Sequence, residues 1–187
     1  MRFLPLLDAS SELQAHIRNL RNQEPVRRHM YTSHEITESE HQDWLASLQG
    51  NLRQKVFVVL QDEQAVGVVS LSAINSLHRT ADWAFYLDSE RQGKGLGSRV
   101  EFWMLDYSFN EAGLEKLNCE VLETNTSVIN MHLKFGFKLE GTRRKHILKE
   151  GVRIDVALLG ITKDEWASTR PELEPLIKRL GKSEANL

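Results

Sequence analysis

The chain has 187 residues, enough for a domain that buries roughly two-thirds of the surface its unfolded form would expose. With 24 basic and 26 acidic residues, its formal net charge of -2 gives no reason to expect a nucleic-acid partner. The single cysteine, Cys119, excludes an internal disulfide and argues against a structural metal site. We find neither a signal-peptide pattern nor an apolar segment of the roughly 20 residues that span a bilayer. These features predict a cytoplasmic protein with no membrane partner, folded as one domain over residues 1–187.

The first part of the chain predicts two helices and an antiparallel hairpin. Arg2 to Leu7 has the pattern of a short strand, and the pair Ser10-Ser11 offers the cap of a first helix. Thr37-Glu38-Ser39-Glu40 is a capping-box pattern that begins a second helix. Val56 to Leu60 and Ala65 to Leu71 then form a hairpin whose strands are apolar enough to be covered on both faces.

The charges of residues 16–29 are one-sided, and this segment is expected to be a basic loop that leaves the first helix. Glu24 is its single acid, and its basic side chains are Arg18, Arg21, Arg27, Arg28, His16 and His29. A solvated surface is one interpretation. The other is that one or two of the arginines hold an anionic part of a ligand, because the planar guanidinium group suits carboxylates and phosphates.

The middle of the chain predicts a strand, a helix and a second, parallel strand. Trp83 to Leu87 is the first strand, Ser98 to Ala112 has helical periodicity, and Leu117 to Leu122 is the second strand. Another helix follows from Asn125 to Phe135 and ends at Gly136. This order is typical of a crossover unit within a sheet that contains parallel strands.

The end of the chain predicts a long hairpin and a closing helix. Phe137 to about Leu148 and Val152 to Ile161 form the hairpin, and Thr162-Lys163-Asp164-Glu165 caps the helix. We expect Pro171 and Pro175 to break this helix, because proline cannot donate a backbone hydrogen bond and clashes with the preceding turn.

A run of alternating glycines connects the strand at residues 83–87 to the helix after it. Gln92-Gly93-Lys94-Gly95-Leu96-Gly97 lacks side chains at every other position, so its backbone can turn tightly and direct N–H groups at one point. At the start of a helix such groups favour a phosphate. The spacing differs from the dinucleotide fingerprint, and no Walker-type Gly-Lys-Ser/Thr follows. A plain surface turn is the alternative to a phosphate cradle.

The order of the elements and two of their motifs resemble the GNAT acetyltransferase family, over nearly the whole chain. Gln92 to Gly97 is similar to the family's Q/R-x-x-G-x-G/A loop, and Asn125 to Phe137 is similar to its N-x-x-S-x-x-x-Tyr-x-x-x-G-F helix. The resemblance implies an α/β GNAT fold with helices flanking a mixed central sheet of about seven strands, splayed in the middle. It also implies transfer of an acetyl group from acetyl-CoA, as co-substrate, to a primary amine.

The resemblance assigns three groups of residues to the acetyl-CoA site. Backbone N–H groups of the strand at Phe85 and Leu87 would polarise the thioester carbonyl. Asn125 would hydrogen-bond the pantetheine, while Asn130 and Lys134 would reach the outer part of the co-substrate. The pyrophosphate would be held by Gln92, Gly93, Lys94, Gly95, Leu96, Gly97 and Ser98.

Two residues are candidates for the proton transfers that acetylation of an amine requires. Glu120 matches a catalytic glutamate of ribosomal-protein acetyltransferases and would be the base, or else would only neutralise a basic neighbour; Glu123 is a weaker candidate. His132 stands where most relatives carry the tyrosine that protonates the departing thiolate. Histidine can also donate that proton, although a packed or surface histidine is the alternative.

The acceptor side of the chain shows a narrower resemblance, to the acetyltransferases of pseudaminic acid biosynthesis. It rests on Leu20-Arg21-Asn22, Met30-Tyr31 and Ile74-Asn75 among other short matches. It implies a UDP-linked 4-amino-4,6-dideoxy sugar, of a flagellin glycosylation pathway, as the acceptor. Arg21 would meet the nucleotide diphosphate. The whole acceptor pocket would consist of Arg21, Met30, Tyr31, His41, Ser72 and Tyr86.

Two alternatives stay open at this point. The first is a protein N-terminal or small-amine acetyltransferase of the same fold, whose acceptor site would favour carboxylates for a cationic substrate. The second is a non-catalytic regulator that binds acyl-CoA, which the replacement of tyrosine by His132 keeps open. The resemblance also leaves open a homodimer formed through the last strands.

Overall fold

The protein folds around a mixed β-sheet with helices on both faces. The structure is a computed structural model that describes residues 1–91, 93 and 95–184. In that part of the chain the strands are β1 Arg2–Pro5, β2 Lys55–Gln61, β3 Gln64–Asn75, β4 Thr80–Leu87, β5 Lys116–Leu122, β6 Lys138–Lys149 and β7 Val152–Thr162. The helices in the same part are α1 Ser11–Asn22, α2 Glu24–Arg27, α3 Glu38–Leu48, α4 Leu96–Asp106, α5 Thr126–Lys134 and α6 Lys163–Glu184.

The sheet has seven strands in the order β1-β2-β3-β4-β5-β7-β6 within the described residues. β4 and β5 are parallel, and the other neighbouring pairs are antiparallel. β4 and β5 are parallel because α4 returns the chain to the end of the sheet at which β4 begins. The predicted mixed α/β sheet of about seven strands is thus confirmed.

Two apolar cores lie on opposite faces of the sheet. One is formed with α1 and α3, which contribute Ile17, Leu45 and Leu48. The other is formed with α4 and α6, and it includes Val100 and Trp166. Because β2 and β3 alternate between these cores, five successive residues of each strand are buried, as the apolar hairpin predicted. In the described residues no helix is both long and apolar enough to cross a bilayer.

The N-terminal elements begin where their capping residues are. Ser10 caps α1 by accepting a hydrogen bond from the Leu13 N–H, and Thr37 forms a complete capping box with Glu40 at the start of α3. β1 ends at Pro5, where a 3-10 turn replaces the last two predicted strand residues. The predicted loop after α1 is wrong in part, because α2 occupies its centre with Pro25 in the first helical turn, where proline is tolerated.

The closing helix is continuous, and the predicted break at Pro171 and Pro175 is wrong. Both prolines lie on the exposed side of α6, so water can satisfy the carbonyl groups that lose a backbone partner. Packing holds the helix on the side facing the protein. Trp166 is fully buried there, and Arg170 forms a two-pronged ion pair with Asp106 of α4.

Asp106 is the residue through which α4 holds α6, and replacing it tests this contact. Its Oδ1 accepts hydrogen bonds from Trp166 Nε1 at 2.9 Å and Arg170 Nε at 2.8 Å. We expect Asp106→Ala to lower the free energy of unfolding by about 1–3 kcal/mol, because the indole and guanidinium groups lose a charged acceptor. The control Lys178→Ala removes an exposed pair with Glu174 and should change it by less than about 0.5 kcal/mol. Equal effects in chemical denaturation would contradict this role of Asp106.

Candidate active site

The parallel strands β4 and β5 separate halfway along their length. They pair only at residues 80–82 and 116–118, although β4 continues to Leu87 and β5 continues to Leu122. A cavity of about 400 Å³ lies in the gap. Its lining includes Trp83 to Leu87, the part of β4 that continues beyond its pairing with β5. Phe85 and Leu87, which the sequence assigned to the co-substrate, are therefore both placed at the cavity.

The glycine turn borders the same cavity. Gly93 and Gly95 both have φ of 80°, a left-handed conformation that favours glycine, and Gly95 is the N-cap of α4. The first N–H groups of a helix have no partner within it, so they make an anion site at this end of α4. Gly97 and Ser98 also line the cavity, whereas the Leu96 side chain is buried in the core. Gln92 and Lys94, which the sequence also assigned here, lie outside the described residues.

The start of α5 forms another part of the cavity wall. Asn125 lines it as the N-cap residue of α5, and its side-chain oxygen accepts a hydrogen bond from the Ser127 hydroxyl. Asn130 and Lys134 are exposed and are not among the described lining residues. Only Asn125 of these three predicted co-substrate contacts is therefore placed at the cavity.

His132 lines the cavity from α5 and is buried. Its Nδ1 lies 2.8 Å from Oε1 of Glu101 on α4, and both side chains are at most 3% exposed. The bond at Nδ1 leaves Nε2 as the ring nitrogen that can act toward the cavity. His132 is therefore both packed against other side chains and placed at the cavity, and its predicted catalytic role stays a prediction.

Glu101 is the residue of this site that the sequence analysis missed. The position of Glu101 in the helical repeat is a signal for it. Gly97, Glu101, Leu105 and Ser108 fall on one face of the predicted helix, and the last three are buried. A carboxylate on the buried face of an amphipathic helix needs a partner to offset its desolvation. The identity of that partner, 31 residues further along the chain, depends on the tertiary fold.

Glu120 lines the cavity from β5, but both of its oxygens are already engaged. Oε1 pairs with Arg143 Nη1 at 2.7 Å, and Oε2 accepts a hydrogen bond from the Tyr31 hydroxyl at 2.5 Å. Burial, and then the hydrogen bond to Glu120, raise the pKa of Tyr31, so its hydroxyl stays a donor. This arrangement favours the interpretation in which Glu120 neutralises a basic neighbour. Glu123 is exposed and does not line the cavity.

The predicted acceptor residues divide into two groups. Met30 and Tyr86 line the cavity, and Tyr31 reaches it through Glu120. Arg21, His41 and Ser72 are absent from its described lining. His41 is buried between helices, where its Nε2 bonds the Gln14 carbonyl at 2.8 Å, so its place in the structure is explained by packing.

A group of basic side chains adjoins the acceptor side of the cavity. His29 lines the cavity, and Lys149 Nζ donates to the backbone carbonyls of Arg27 and Met30. In the described part of the chain, three buried nitrogen atoms of this group have no hydrogen-bond partner: Arg21 Nη1, Arg27 Nε and His29 Nδ1. We refer to Arg21, Arg27, His29 and Lys149 as the basic cluster.

Burial and mutual repulsion act on the charges of the basic cluster. Burial is the main cause that lowers the pKa of the Arg21 guanidinium, and the charge of Arg27 adds to it. Burial, followed by the charge of Arg21, lowers the pKa of Lys149. The pKa of His29 is lowered by burial and then by neighbouring cations. Each shift would be relieved by an anion among these groups.

The fold and the gap between β4 and β5 agree with a match to a known family. The model of the acetyltransferase (GNAT) domain matches residues 5–138, which is more than half of the chain. The chain therefore belongs to the GNAT acetyltransferase family, and the resemblance found in the sequence is confirmed.

Individual relatives are similar over part of the chain. Spermidine N(1)-acetyltransferase of Escherichia coli (strain K12) is 38% identical over 88 residues, covering 47% of this chain and 47% of that enzyme. Ribosomal-protein-serine acetyltransferase of the same organism is 26% identical over 106 residues, covering 54% of this chain and 59% of that enzyme. The match thus spans about half the length of these curated relatives.

A solved structure shows the same fold over most of its length. Spermidine N-acetyltransferase from Vibrio cholerae, in complex with CoA and spermine, has a TM-score of 0.79 and 24% sequence identity, covering 85% of this chain and 95% of that chain. None of these three relatives is named for a nucleotide sugar. The comparisons therefore support the small-amine or protein alternative better than the nucleotide-sugar acceptor, which they do not support.

A substitution in the glycine turn tests whether it holds a phosphate-bearing ligand. We expect Gly95→Asp to weaken binding of coenzyme A by more than about tenfold, because it adds a side chain and a negative charge at the start of α4. Gly50→Asp controls for the left-handed backbone, since Gly50 has a φ of 69°; its side chain would enter open space, whereas one at Gly95 would also meet Leu180, so thermal stability is measured for both variants. Calorimetric titration with coenzyme A would measure both. Similar affinities for the two variants would contradict an anion site at the turn.

Proposed function

We propose that this protein transfers the acetyl group of acetyl-CoA to a primary amine of a small molecule. The observation that carries the proposal is that one cavity joins three parts of such a site. They are the glycine turn at the start of α4, the part of β4 beyond its pairing with β5, and His132. The glycine turn suits the pyrophosphate, and the β4 backbone offers N–H groups to the thioester carbonyl. Membership of the GNAT family supports the same chemistry.

The reaction requires one bond exchange and two proton transfers. The free amine attacks the thioester carbonyl, so that a C–N bond forms and the C–S bond breaks. The thiolate of CoA then takes a proton, and the nitrogen loses one. Holding both reactants in one cavity supplies much of the acceleration by proximity, and the hydrogen-bond donors of β4 supply charge stabilisation at the carbonyl oxygen.

His132 is the proposed proton donor to the CoA thiolate. It lines the cavity, and its Nδ1 is held by Glu101, which leaves Nε2 for the leaving group. This geometry favours a catalyst over a non-catalytic regulator, because a ligand-binding cavity has no need of a buried histidine–carboxyl pair in its wall. Glu120 is less suited to be the base, since a proton acceptor role would require it to release Arg143 or Tyr31. Water is then the route for the amine proton.

The charge of the acceptor side favours an amine that also carries an anionic group. Glu120 is the one carboxylate among the described lining residues, and Arg143 neutralises it. The basic cluster adjoins the same wall and holds three buried nitrogen atoms without partners in the described residues. A polycation would meet repulsion there, whereas a carboxylate or phosphate would complete the hydrogen bonds.

Two candidate acceptors represent an amine that bears an anion and an amine that is a polycation. A UDP-linked amino sugar fits the anion-bearing class, and Arg21 would then meet its phosphates. Spermidine is the second candidate, and it is favoured by the 38% identity to an enzyme named for it. The two differ in the sign of their charge, so a direct comparison separates them.

Replacing His132 tests the proton donor. We expect His132→Phe to lower kcat by about 100-fold, because the thiolate loses a general acid, with the KM for acetyl-CoA little changed. Steady-state release of free thiol would measure both constants. As a control, Leu133→Phe alters an exposed position of the same helix and should leave both within about twofold. A near-normal kcat for His132→Phe would assign the proton to water.

A panel of acceptors combined with Arg21→Ala tests the acceptor class. We expect the UDP-amino sugar, or another amine that bears an anion, to have a kcat/KM about tenfold or more above that of spermidine and of peptides with free N-termini. Arg21→Ala should raise the KM of the anionic acceptor about tenfold while leaving that of acetyl-CoA unchanged. The control Arg2→Ala removes an arginine of an exposed pair with Glu63. A preference for spermidine that Arg21→Ala leaves intact would contradict the anionic acceptor, and CoA binding without turnover would favour a regulator.

A further inference from the structure

The carboxylate of Glu101 is buried in the apolar core of the protein. The residue is 0% exposed, and its helical neighbours Val100, Met104 and Leu105 are core residues. A carboxylate at such a position costs stability unless it is paired, and an apolar residue of similar size would pack there without that cost. The pair with His132 is therefore a feature that the fold retains against its own stability, which points to a role for the charge.

Aromatic rings pack around His132, and the titratable groups near the pair come from β4 and β5. Trp83 and Phe137 lie with ring centroids 5.2 Å from the His132 ring, and Phe85 lies at 6.3 Å. The titratable groups on the neighbouring strands are Asp82 and Tyr86 of β4 and Lys116, Cys119 and Glu120 of β5. Of these, Glu120 is neutralised by Arg143, and burial raises the pKa of the Cys119 thiol, so that it stays uncharged.

The protonation of the pair is set mainly within the pair. Burial raises the pKa of Glu101, while the charge and hydrogen bond of His132 oppose that rise. In a site of low dielectric, the favoured states are those in which the two groups together carry no net charge. One such state is a carboxylate beside an imidazolium, with a proton on each ring nitrogen. The other places the proton on the carboxyl group beside a neutral ring.

We propose that Glu101 is a positioning residue that holds the His132 ring by its Nδ1–H and keeps it in the imidazolium form, with the Nε2 proton ready for the CoA thiolate. The inference rests on the proposed acetyl transfer. The distance of 2.8 Å between Oε1 and Nδ1 fixes both the rotation of the ring and the nitrogen that bonds the carboxylate. The second oxygen of Glu101 has no hydrogen-bond partner among the described residues, so the His132 ring is the group that hydrogen-bonds this carboxyl group there.

Every proton that moves during acetyl transfer has a source and a destination. When the C–S bond breaks, the thiolate takes the proton of Nε2 and the ring becomes neutral, with its remaining proton on Nδ1 facing Glu101. The pair then carries one net negative charge in a buried site, so it regains a proton readily from solvent once the product thiol leaves. An ammonium substrate loses two protons to water in the course of the reaction, and the ring regains one. Each turnover of such a substrate therefore releases one proton.

The pH dependence of kcat in Glu101→Gln tests this role. Glutamine keeps the size of the side chain and an oxygen acceptor but removes the charge that favours the imidazolium. The ring should therefore lose its proton at lower pH, and the alkaline limb of the kcat profile should move down by roughly one pH unit or more. We expect kcat at neutral pH to fall about tenfold or more, with the KM for acetyl-CoA within about twofold.

Two further variants complete the set. Glu101→Asp keeps the charge and should retain an alkaline limb nearer to that of the wild type than Glu101→Gln does. Glu115→Gln removes a carboxylate from an exposed pair with Arg79 and should leave the profile unchanged. A fall in kcat and in thermal stability for Glu101→Gln with no shift of the alkaline limb would overturn the proposal, because a merely structural glutamate would behave in that way.

Nuclear magnetic resonance of the wild-type protein tests the same point without any variant. Side-chain nitrogen correlations of the histidines should show His132 protonated at Nδ1 at every pH where the protein is folded, with Nε2 losing its proton at higher pH. A neutral ring with its proton on Nε2, beside a protonated carboxyl group, would overturn the inference. This readout does not depend on turnover. Failure of the wild type to release thiol with any amine would thus count against the proposed function alone.

Discussion

The separation of β4 from β5 is the feature on which the rest of the structure depends. A sheet stays closed where neighbouring strands exchange hydrogen bonds, and these two stop doing so after residue 82 of β4 and residue 118 of β5. Antiparallel strands hold each of them from the other side, β3 against β4 and β7 against β5, so the gap is supported by intact pairing. The cavity, the placement of the end of β4 in its wall and the approach to His132 all result from this one interruption.

Two groups of ionisable side chains lie near that cavity, and their surroundings differ. The pair of Glu101 and His132 lies in the apolar core, where each group depends on the other. The basic cluster lies toward the acceptor side, where several nitrogen atoms lack partners in the described residues. The first arrangement is balanced as it stands and suits proton transfer. The second contains an ion pair between Arg27 and Glu35 at 3.4 Å but also nitrogen atoms without partners, which suit the recognition of an anion.

Local sequence patterns predicted the elements whose causes are local. The capping box at Thr37 and the left-handed glycines of the turn depend on residues within a few positions of each other. Pro171 and Pro175 were misjudged because tertiary packing of α6 outweighs the two missing hydrogen bonds. Glu101 was missed for the same kind of reason, since its partner comes from another helix and the sequence does not report their distance.

The acceptor side shows the same limit in another way. The basic composition of residues 16–29 was visible in the sequence, but the place of each side chain was not. Lys149, which completes the basic cluster, comes from the far end of β6, and His41, which the sequence assigned to the pocket, packs between helices. Contacts between residues so distant in the chain follow from the topology of the sheet, which motif matches do not contain.

A crystal structure of the protein with coenzyme A bound is the most direct test of the central claim that the gap between β4 and β5 is the site of acetyl transfer. We predict that the pyrophosphate lies against the N–H groups at the start of α4. The sulfur atom should lie between the β4 backbone and His132, within about 3.5 Å of Nε2. A coenzyme bound outside the gap, or one whose sulfur lies far from His132, would contradict the claim.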